Sequence, residues 1–233
     1  MERIQDYILS YREMCQAENV QALQRGMNYR LNPNYSVILM SQRRNAPYKD
    51  TIVNDGKTIE YEGHDISKIS SVHNPKLEDQ SEILSSGKLT QNGLFIRAVI
   101  NYKNNNNKPE LVKVYEKIFS GVWSFKGFFD LIDYKVVHDS RRKVFRFILR
   151  LSEIQGIASD SAKLEIAHKT LIPSDVKKEV WKRDRGKCVI CGETENLHFD
   201  HDLPFSKGGT SLSAKNVRLL CMKHNLKKSA KIE

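Results

Sequence analysis

Leu197-His198-Phe199-Asp200-His201-Asp202-Leu203-Pro204 lies between Cys188-Val189-Ile190-Cys191 and Cys221-Met222-Lys223-His224. Two close pairs of thiol or imidazole ligands, with 29 residues between Cys191 and Cys221, suit tetrahedral zinc, whose structural sites are closed by N and S donors. Gly192 permits a tight turn after the second cysteine. The segment is too short to bury a large core, so a metal there would supply folding energy, about 10 kcal/mol or more in small zinc modules. Reduced cysteines in a small core do not explain the paired spacing.

Working outward, Asn196 to His201 reads as a strand and Lys207-Gly208-Gly209 as a turn. Val217 to Leu220 reads as a second strand, and a helix starts near residue 222. Upstream, Pro173-Ser174-Asp175 opens a helix to about Asp184, with Ser174 or Asp175 as its cap and Val176, Val180 and Trp181 on one face. The whole is a ββα unit with zinc at its base.

The combination Cys-x-x-Cys, Asp200-His201-x-x-Pro204, Gly208-Gly209, Asn216 and Cys221-x-x-His224-Asn225-x-x-Lys228 resembles the HNH (ββα-metal) nucleases over residues 172–229. The resemblance implies a role for each matching residue. His201 would be the general base, a task suited to an imidazole with a pKa near 6.5. Asp200 and Asn225 would hold a catalytic divalent ion, magnesium or manganese in an oxygen-rich site, and Asn216 would hold the loop facing the base. Cys188, Cys191, Cys221 and His224 would hold structural zinc, and Lys227 and Lys228 would meet DNA phosphates. His198 lies on the same strand but outside the pattern and reads as a packing or surface residue.

Across all 233 residues, 38 Lys and Arg against 28 Asp and Glu leave a net charge of +10. Residues 171–233 hold 13 basic and 8 acidic side chains, so half of that excess falls on the last 63 residues. Such a balance favours a polyanionic partner. No apolar run approaches the roughly 20 residues of a membrane span, and Met1 to Asp6 lacks a secretory apolar region. The expectation is a cytoplasmic protein that does not enter a membrane, with reduced cysteines.

Towards the N-terminus, residues 2–25 read as a helix with Ile4, Ile8, Tyr11, Cys15 and Leu23 on one stripe. Cys15 on that stripe reads as a small buried hydrophobe. Ser36 to Met40, Thr58 to Gly63, Leu94 to Ile100, Leu111 to Lys117 and Val144 to Arg150 read as strands. Asn104 to Asn107 with Lys108-Pro109 reads as a hairpin loop, and Ser152 to Leu171 as a linker with a helical part.

This region resembles, over residues 34–151, the SRA (SET and RING associated) domain, which flips a modified cytosine into a pocket. The matching stretches are Tyr48-Lys49-Asp50, Tyr61-Glu62-Gly63, Lys88 to Gly93, Val112 to Glu116 and Phe125 to Leu131. The resemblance implies that Tyr48 and Tyr61 sandwich the base, at about 1–3 kcal/mol per stacked face, and that Asp50 accepts from the cytosine amino group. The family's Tyr-Asp-Gly signature stands here as Phe125-Lys126-Gly127, and the acid sits one residue closer to the first tyrosine than in the family.

The expected fold is α+β: an N-terminal helix at 1–29, an SRA/PUA-like twisted β-barrel domain with flanking helices at 30–152, a linker at 153–171, and a zinc-stabilised ββα-metal (HNH) domain at 172–233. The expected activity is endonuclease cleavage of double-stranded DNA carrying 5-methylcytosine or 5-hydroxymethylcytosine. One catalytic centre cuts one strand, so a double-strand break needs two chains, and the N-terminal helix is a candidate dimer element. Two alternatives stand beside it: an HNH endonuclease for an unmodified sequence or another modified base, and a non-catalytic zinc DNA-binding protein.

Overall fold

The computed structural model describes residues 7–54, 56–67, 74–105, 107–139, 141–153, 172–203 and 209–229. The chain is a mixed α+β protein with one large sheet. Strands β1 (Ile8–Ser10), β2 (Met27–Asn32), β3 (Tyr35–Met40), β4 (Thr51–Val53), β5 (Thr58–Glu62), β6 (Glu110–Phe119), β7 (Val122–Asp139) and β8 (Arg142–Leu151) form it in the order β2-β3-β6-β7-β8-β5-β4, with β1 paired to β7. A separate hairpin of β9 (Leu197–His201) and β10 (Val217–Cys221) lies near the C-terminus. Helices α1 (Tyr11–Ala17), α2 (Gln91–Asn105), α3 (Ser174–Arg183) and α4 (Met222–Ser229) complete the regular structure. No helix among the described residues is long and apolar enough to cross a membrane.

The chain divides into two compact units, one of residues 1–22, 115–127 and 153–233 and the other of 23–114 and 128–152. In the first, Ile8, Ile172, Val176, Val180, Leu197, Phe199, Val217, Leu219 and Leu220 form a continuous buried cluster, with Trp181 packed against it. In the second, Val37, Ile38, Ile59, Tyr61, Phe95, Val99, Phe129, Leu131, Phe147 and Leu149 are all buried, so the strands and α2 share one core.

Four sequence expectations change. The helix over 2–25 shrinks to the seven residues of α1, residues 2–6 lying outside the described set. Ser10 caps α1 in a reciprocal capping box with Glu13, while Ile8 just before it pairs with Ser124 of β7. A helix cannot extend back through a residue committed to a strand ladder. Cys15 is 3% exposed and packs as an apolar residue.

Leu94 to Ile100 is helical, in α2, rather than a strand. Asn92, Phe95, Ile96 and Val99 are its buried residues, a spacing of three to four that a short β-branched apolar run conceals. Asn104 and Asn105 consequently end α2 instead of joining two strands, and Asn106 lies outside the described residues.

Ser174 and Asp175 do not cap α3. Pro173 holds the N-cap position without a side-chain hydrogen bond, and the Ser174 hydroxyl donates instead to Glu116 Oε2 at 2.7 Å. The strands expected at 36–40, 111–117 and 144–150 fall within β3, β6 and β8, the one expected at 58–63 is β5 less its last residue, and the β9, β10 and α4 positions are likewise as expected. The expected helical part of the linker and the Lys207-Gly208 turn lie outside the described residues.

Candidate metal centre and base pocket

Cys188 and Cys191 bracket a knuckle whose turn closes with Gly192 N–H donating to the Cys188 carbonyl at 2.8 Å. Gly192 has φ +78°, where an L side chain is strained. The knuckle is fixed to β10 by Val189 N–H donating to the Leu219 carbonyl at 3.0 Å. Cys221 ends β10 and His224 follows on the first turn of α4, so the second pair arrives on a strand-to-helix junction. The four ligand atoms lie within 4.8 Å of one another.

Zinc–sulfur and zinc–nitrogen bonds at tetrahedral angles place neighbouring ligand atoms about 3.6–3.8 Å apart. Here Cys191 Sγ to Cys221 Sγ is 3.8 Å, Cys188 Sγ to His224 Nδ1 is 3.6 Å and Cys221 Sγ to His224 Nδ1 is 3.2 Å. The donor set and its spacing fit zinc. Burial raises the Cys188 thiol, but hydrogen bonds from the backbone of Cys221, Cys191 and Ile190 outweigh it and bring the group down to about 6, which favours the thiolate a metal needs.

The same hairpin carries the Asp-His pair. β9 and β10 are antiparallel, with Asp200 opposite Arg218 and His201 opposite Val217. Residues alternate along a strand, so Asp200 and His201 leave β9 on opposite faces. α3 steadies the start of β10: the Arg183 guanidinium donates to the carbonyls of Ala214 and Val217 at 2.5 and 2.6 Å.

His201 Nε2 is 2.9 Å from Ser211 Oγ, and Ser211 is buried. Asn216 clamps the two ends of the segment between Leu203 and Gly209. Its Oδ1 accepts from Leu203 N–H at 2.8 Å, and its Nδ2 donates to the carbonyls of Leu203 and Thr210, each at 3.0 Å. A Cβ on Gly209 would stand 1.8 Å from the Leu203 carbonyl oxygen, so only glycine fits this closure.

Asp200 is 7% exposed. Its Oδ2 accepts from Lys228 Nζ, which also donates to the His201 carbonyl. Arg218 Nε is 4.0 Å from Asp200 Oδ2 but 2.7 Å from Asp202 Oδ1. Asn225 is buried on α4, and residues three apart on a helix share a face, so Asn225 lies on the side from which Lys228 reaches Asp200. The Lys228 ammonium thus sits on two oxygens, one from the buried Asp200 carboxylate and one from the His201 carbonyl. His198 lies on the same face of β9 as Asp200. Its Nδ1 is buried without a hydrogen-bond partner among the described residues, burial lowers its pKa while the Asp200 carboxylate acts to raise it, and it behaves as a packing residue.

The proposed base pocket is built differently from the expected sandwich. Tyr61 is 1% exposed, and its hydroxyl donates to the Leu39 carbonyl at 3.4 Å. Tyr48 stacks on His64, with ring centroids 5.7 Å apart and planes at 16°. Lys76 Nζ lies 3.8 Å from the Tyr48 centroid. The structure therefore does not set the two tyrosines as a pair of open faces. Both Asp50 oxygens accept from the backbone, Oδ2 from Ser41 N–H at 3.0 Å and Oδ1 from Glu62 N–H at 3.1 Å. Burial pushes the Asp50 carboxyl up to about 7, against the lowering effect of those two bonds.

Around this pocket runs an ionic frame that local sequence patterns do not announce. Glu62 pairs with Arg142 at 3.3 Å and Arg146 at 3.2 Å, while Asp65 pairs with Arg142 at 2.7 Å and Lys76 at 2.8 Å. Lys49 N–H donates to Glu62 Oε2 at 2.8 Å, so the Tyr48-Lys49-Asp50 loop is tied to β5 at two points. Ser211, Arg218 and His64 are site residues without a sequence signal; each gains its role only from a partner distant in the chain or across a strand. Lys228 carried the family pattern, but its contact is with Asp200, not with solvent.

No protein-family model and no curated protein matches the chain. Among solved structures, an SRA domain of SUVH5 in complex with hemi-methylated CG DNA is 18% identical. That match covers 68% of this chain and 94% of that one, with a TM-score of 0.44. SUVH5 SRA bound to fully hydroxymethylated CG DNA is 16% identical over 65% and 91% of the two chains, with a TM-score of 0.44. SUVH6 of Arabidopsis thaliana in complex with SAM is 16% identical over 71% of this chain and 28% of that one, with a TM-score of 0.41. At that level of likeness the function must be argued from the chain's own residues.

Proposed function

We propose that the chain is a DNA endonuclease whose hydrolytic site is Asp200, His201, Asn216 and Asn225, directed to DNA carrying modified cytosine by the unit that holds Tyr48, Asp50 and Tyr61. The observation that carries the nuclease reading is the hairpin itself. A zinc-ready frame presents a buried carboxylate and a half-buried imidazole from consecutive residues, with Asn216 closing the loop beside them.

In this reading Ser211 Oγ holds the ring through His201 Nε2, and Nδ1 is the nitrogen that acts as the base. Nδ1 takes a proton from a water, the water oxygen forms a bond to phosphorus, and the bond from phosphorus to the 3′ oxygen breaks, the departing oxygen taking a proton from solvent water to become a hydroxyl. Ser211 fixes the ring tautomer and its direction. Asn216 keeps the Leu203 and Thr210 backbone in place beside the base. A divalent ion held by Asp200 and Asn225 would neutralise charge on the phosphate and the departing oxygen. Lys227, exposed on α4, would contact DNA phosphate.

A second reading has its own support. The burial of Tyr61 and the commitment of both Asp50 oxygens to backbone favour a nuclease whose other unit recognises an unmodified sequence, or a different modified base. Matched methylated and unmethylated plasmids, incubated with Mg²⁺ or Mn²⁺, separate the two. Cutting confined to methylated plasmid supports the modified-cytosine reading; equal cutting supports the second. No cutting of any substrate removes the nuclease reading and leaves a zinc-stabilised DNA-binding protein.

A further inference from the structure

We infer that Lys228 is an internal cation of the hydrolytic site, which competes with the divalent ion for Asp200 and, once displaced, contacts DNA phosphate. The inference rests on the nuclease reading above and concerns the control of that same site.

Lys228 differs from its neighbours on α4. Lys223 and Lys227 are exposed, whereas the Lys228 side chain is 17% exposed and its ammonium donates to Asp200 Oδ2 and to the His201 carbonyl. The Asp200 side chain is 8% exposed, so its charge requires a cation nearby. Arg218, directly across the hairpin, is the more distant cation, engaged chiefly with Asp202: its Nε is 2.7 Å from Asp202 and 4.0 Å from Asp200. Among the described residues Lys228 is the nearer of the two cations paired with Asp200.

The two oxygens that hold this ammonium are hard donors of the kind divalent cations take. An ammonium and a divalent ion cannot share them, because their mutual repulsion in a partly desolvated site is large. Entry of the ion therefore expels the Lys228 head. Lysine has a flexible four-carbon stem, so the expelled ammonium swings outward without moving the helix. Asn225, three residues earlier on the same face, stays to meet the ion. Metal binding and phosphate binding become one exchange, in which Lys228 leaves a carboxylate and takes a phosphate.

The test compares full-length zinc-loaded wild type with Lys228→Met and Lys227→Met, measuring Mn²⁺ binding by calorimetry or by the electron paramagnetic resonance of free Mn²⁺. Removing a competing charged hydrogen bond should tighten Mn²⁺ binding by Lys228→Met roughly ten- to a hundredfold, while Lys227→Met binds as wild type. Asp200→Asn should lose the ion. Unchanged or weaker Mn²⁺ binding by a folded Lys228→Met protein overturns the inference. In a His201→Ala background, which leaves DNA uncut, the salt slope of DNA binding should fall by about 0.9, one phosphate contact, in Lys228→Met with Mn²⁺ present and not without it. An equal fall in both conditions overturns the exchange. Failure of the nuclease reading is recognised separately, as absence of cleavage by wild type with either ion. Cleavage by wild type together with unaltered Mn²⁺ affinity in Lys228→Met removes only the Lys228 inference.

Discussion

His201 and Ser211 set the terms at the scale of the residue. If the 2.9 Å contact between His201 Nε2 and Ser211 Oγ orients the base, the two positions should fail differently. His201→Ala should cut DNA about 10²- to 10⁴-fold more slowly and bind it as tightly as wild type. Ser211→Ala should keep most of the rate but shift its pH profile, since the ring loses the partner that selects the tautomer. Gel-shift and plasmid-nicking assays over a pH series read both; retained cutting by His201→Ala removes it as the base. Asp50 and His64 make a second residue-scale case, with opposite signs. Asp50 titrates at about 7, above the ordinary value near 3.9, so its contribution to stability is whole below about pH 4 and is lost as pH rises through about 7. His64 is lowered by burial to about 4, below the ordinary value near 6.5, so its contribution is present above about pH 6.5 and is lost as pH falls through about 4. Between pH 4 and 6.5 the two slopes oppose each other. Thermal melts should show stability rising with pH in Asp50→Asn and falling with pH in His64→Asn; parallel slopes in the two variants would refute the assignment.

The scale of the element explains why some of the chemistry is legible in the sequence and some is not. Cys188, Cys191, Cys221 and His224 are written as close pairs, and their spacing alone specifies a metal frame, which in turn fixes β9, β10 and α4. A strong zinc chelator should therefore release one zinc per chain and collapse the amide signals of residues 188–201 and 217–224, and Cys191→Ser should reproduce the loss; a signal pattern indifferent to zinc removal contradicts the frame. The base pocket carries no such local code. Whether Tyr61 faces a ligand or the core depends on Leu39, from a different strand, and whether Asp50 is available depends on Ser41 and Glu62. Leu94 to Ile100 reads as a strand and folds as a helix for a related reason: its β-branched composition suits a strand, while its burial follows a helical face. Lys126, which stands where the related signature has an acid, is explained only by tertiary structure. It is 3% exposed and pairs with Glu116 at 3.3 Å, while Ser174 donates to the same Glu116 oxygen. Lys177, also on α3, donates to Ser124 Oγ at 3.0 Å. Burial raises the Glu116 carboxyl, but Lys126, Lys177 and Ser174 together hold it below its usual value. A depressed carboxylate lends stability above its unfolded pKa of about 4.3 and loses it as pH falls through the lower folded value. Glu116→Gln, which leaves two buried lysines without their carboxylate, should destabilise by about 3–5 kcal/mol at neutral pH, with the deficit narrowing in acid. Urea melts at pH 7 and pH 3.5 would show it, and an equal deficit at both values would mean that charge is not the cause.

At the scale of the whole molecule, the net charge of +10 and a single Asp-His pair bear on how a duplex would be cut. On the nuclease reading the positive charge would supply sequence-independent attraction to phosphate, and specificity would come from a second recognition step. One general base activates water at one phosphodiester at a time, and the two strands of a duplex run in opposite directions, so a chain seated on one strand does not present His201 to the other. A double-strand break then requires a second chain or a second binding event. The kinetic consequence is specific. On a supercoiled plasmid bearing a single site, with enzyme limiting, open circle should accumulate before linear DNA. Raising the enzyme concentration twofold should increase the nicking rate about twofold and the conversion to linear DNA by a larger factor, because that step engages two chains. Sedimentation of the protein with and without a short duplex distinguishes a preformed pair from one assembled on DNA: a monomer that doubles in mass on the duplex gives the steep dependence, and a constitutive dimer gives direct linearisation with little open circle. A protein that stays monomeric on DNA and still linearises the plasmid without an open-circle stage would show that one chain serves both strands, and the single-base reading of Asp200 and His201 would have to be abandoned.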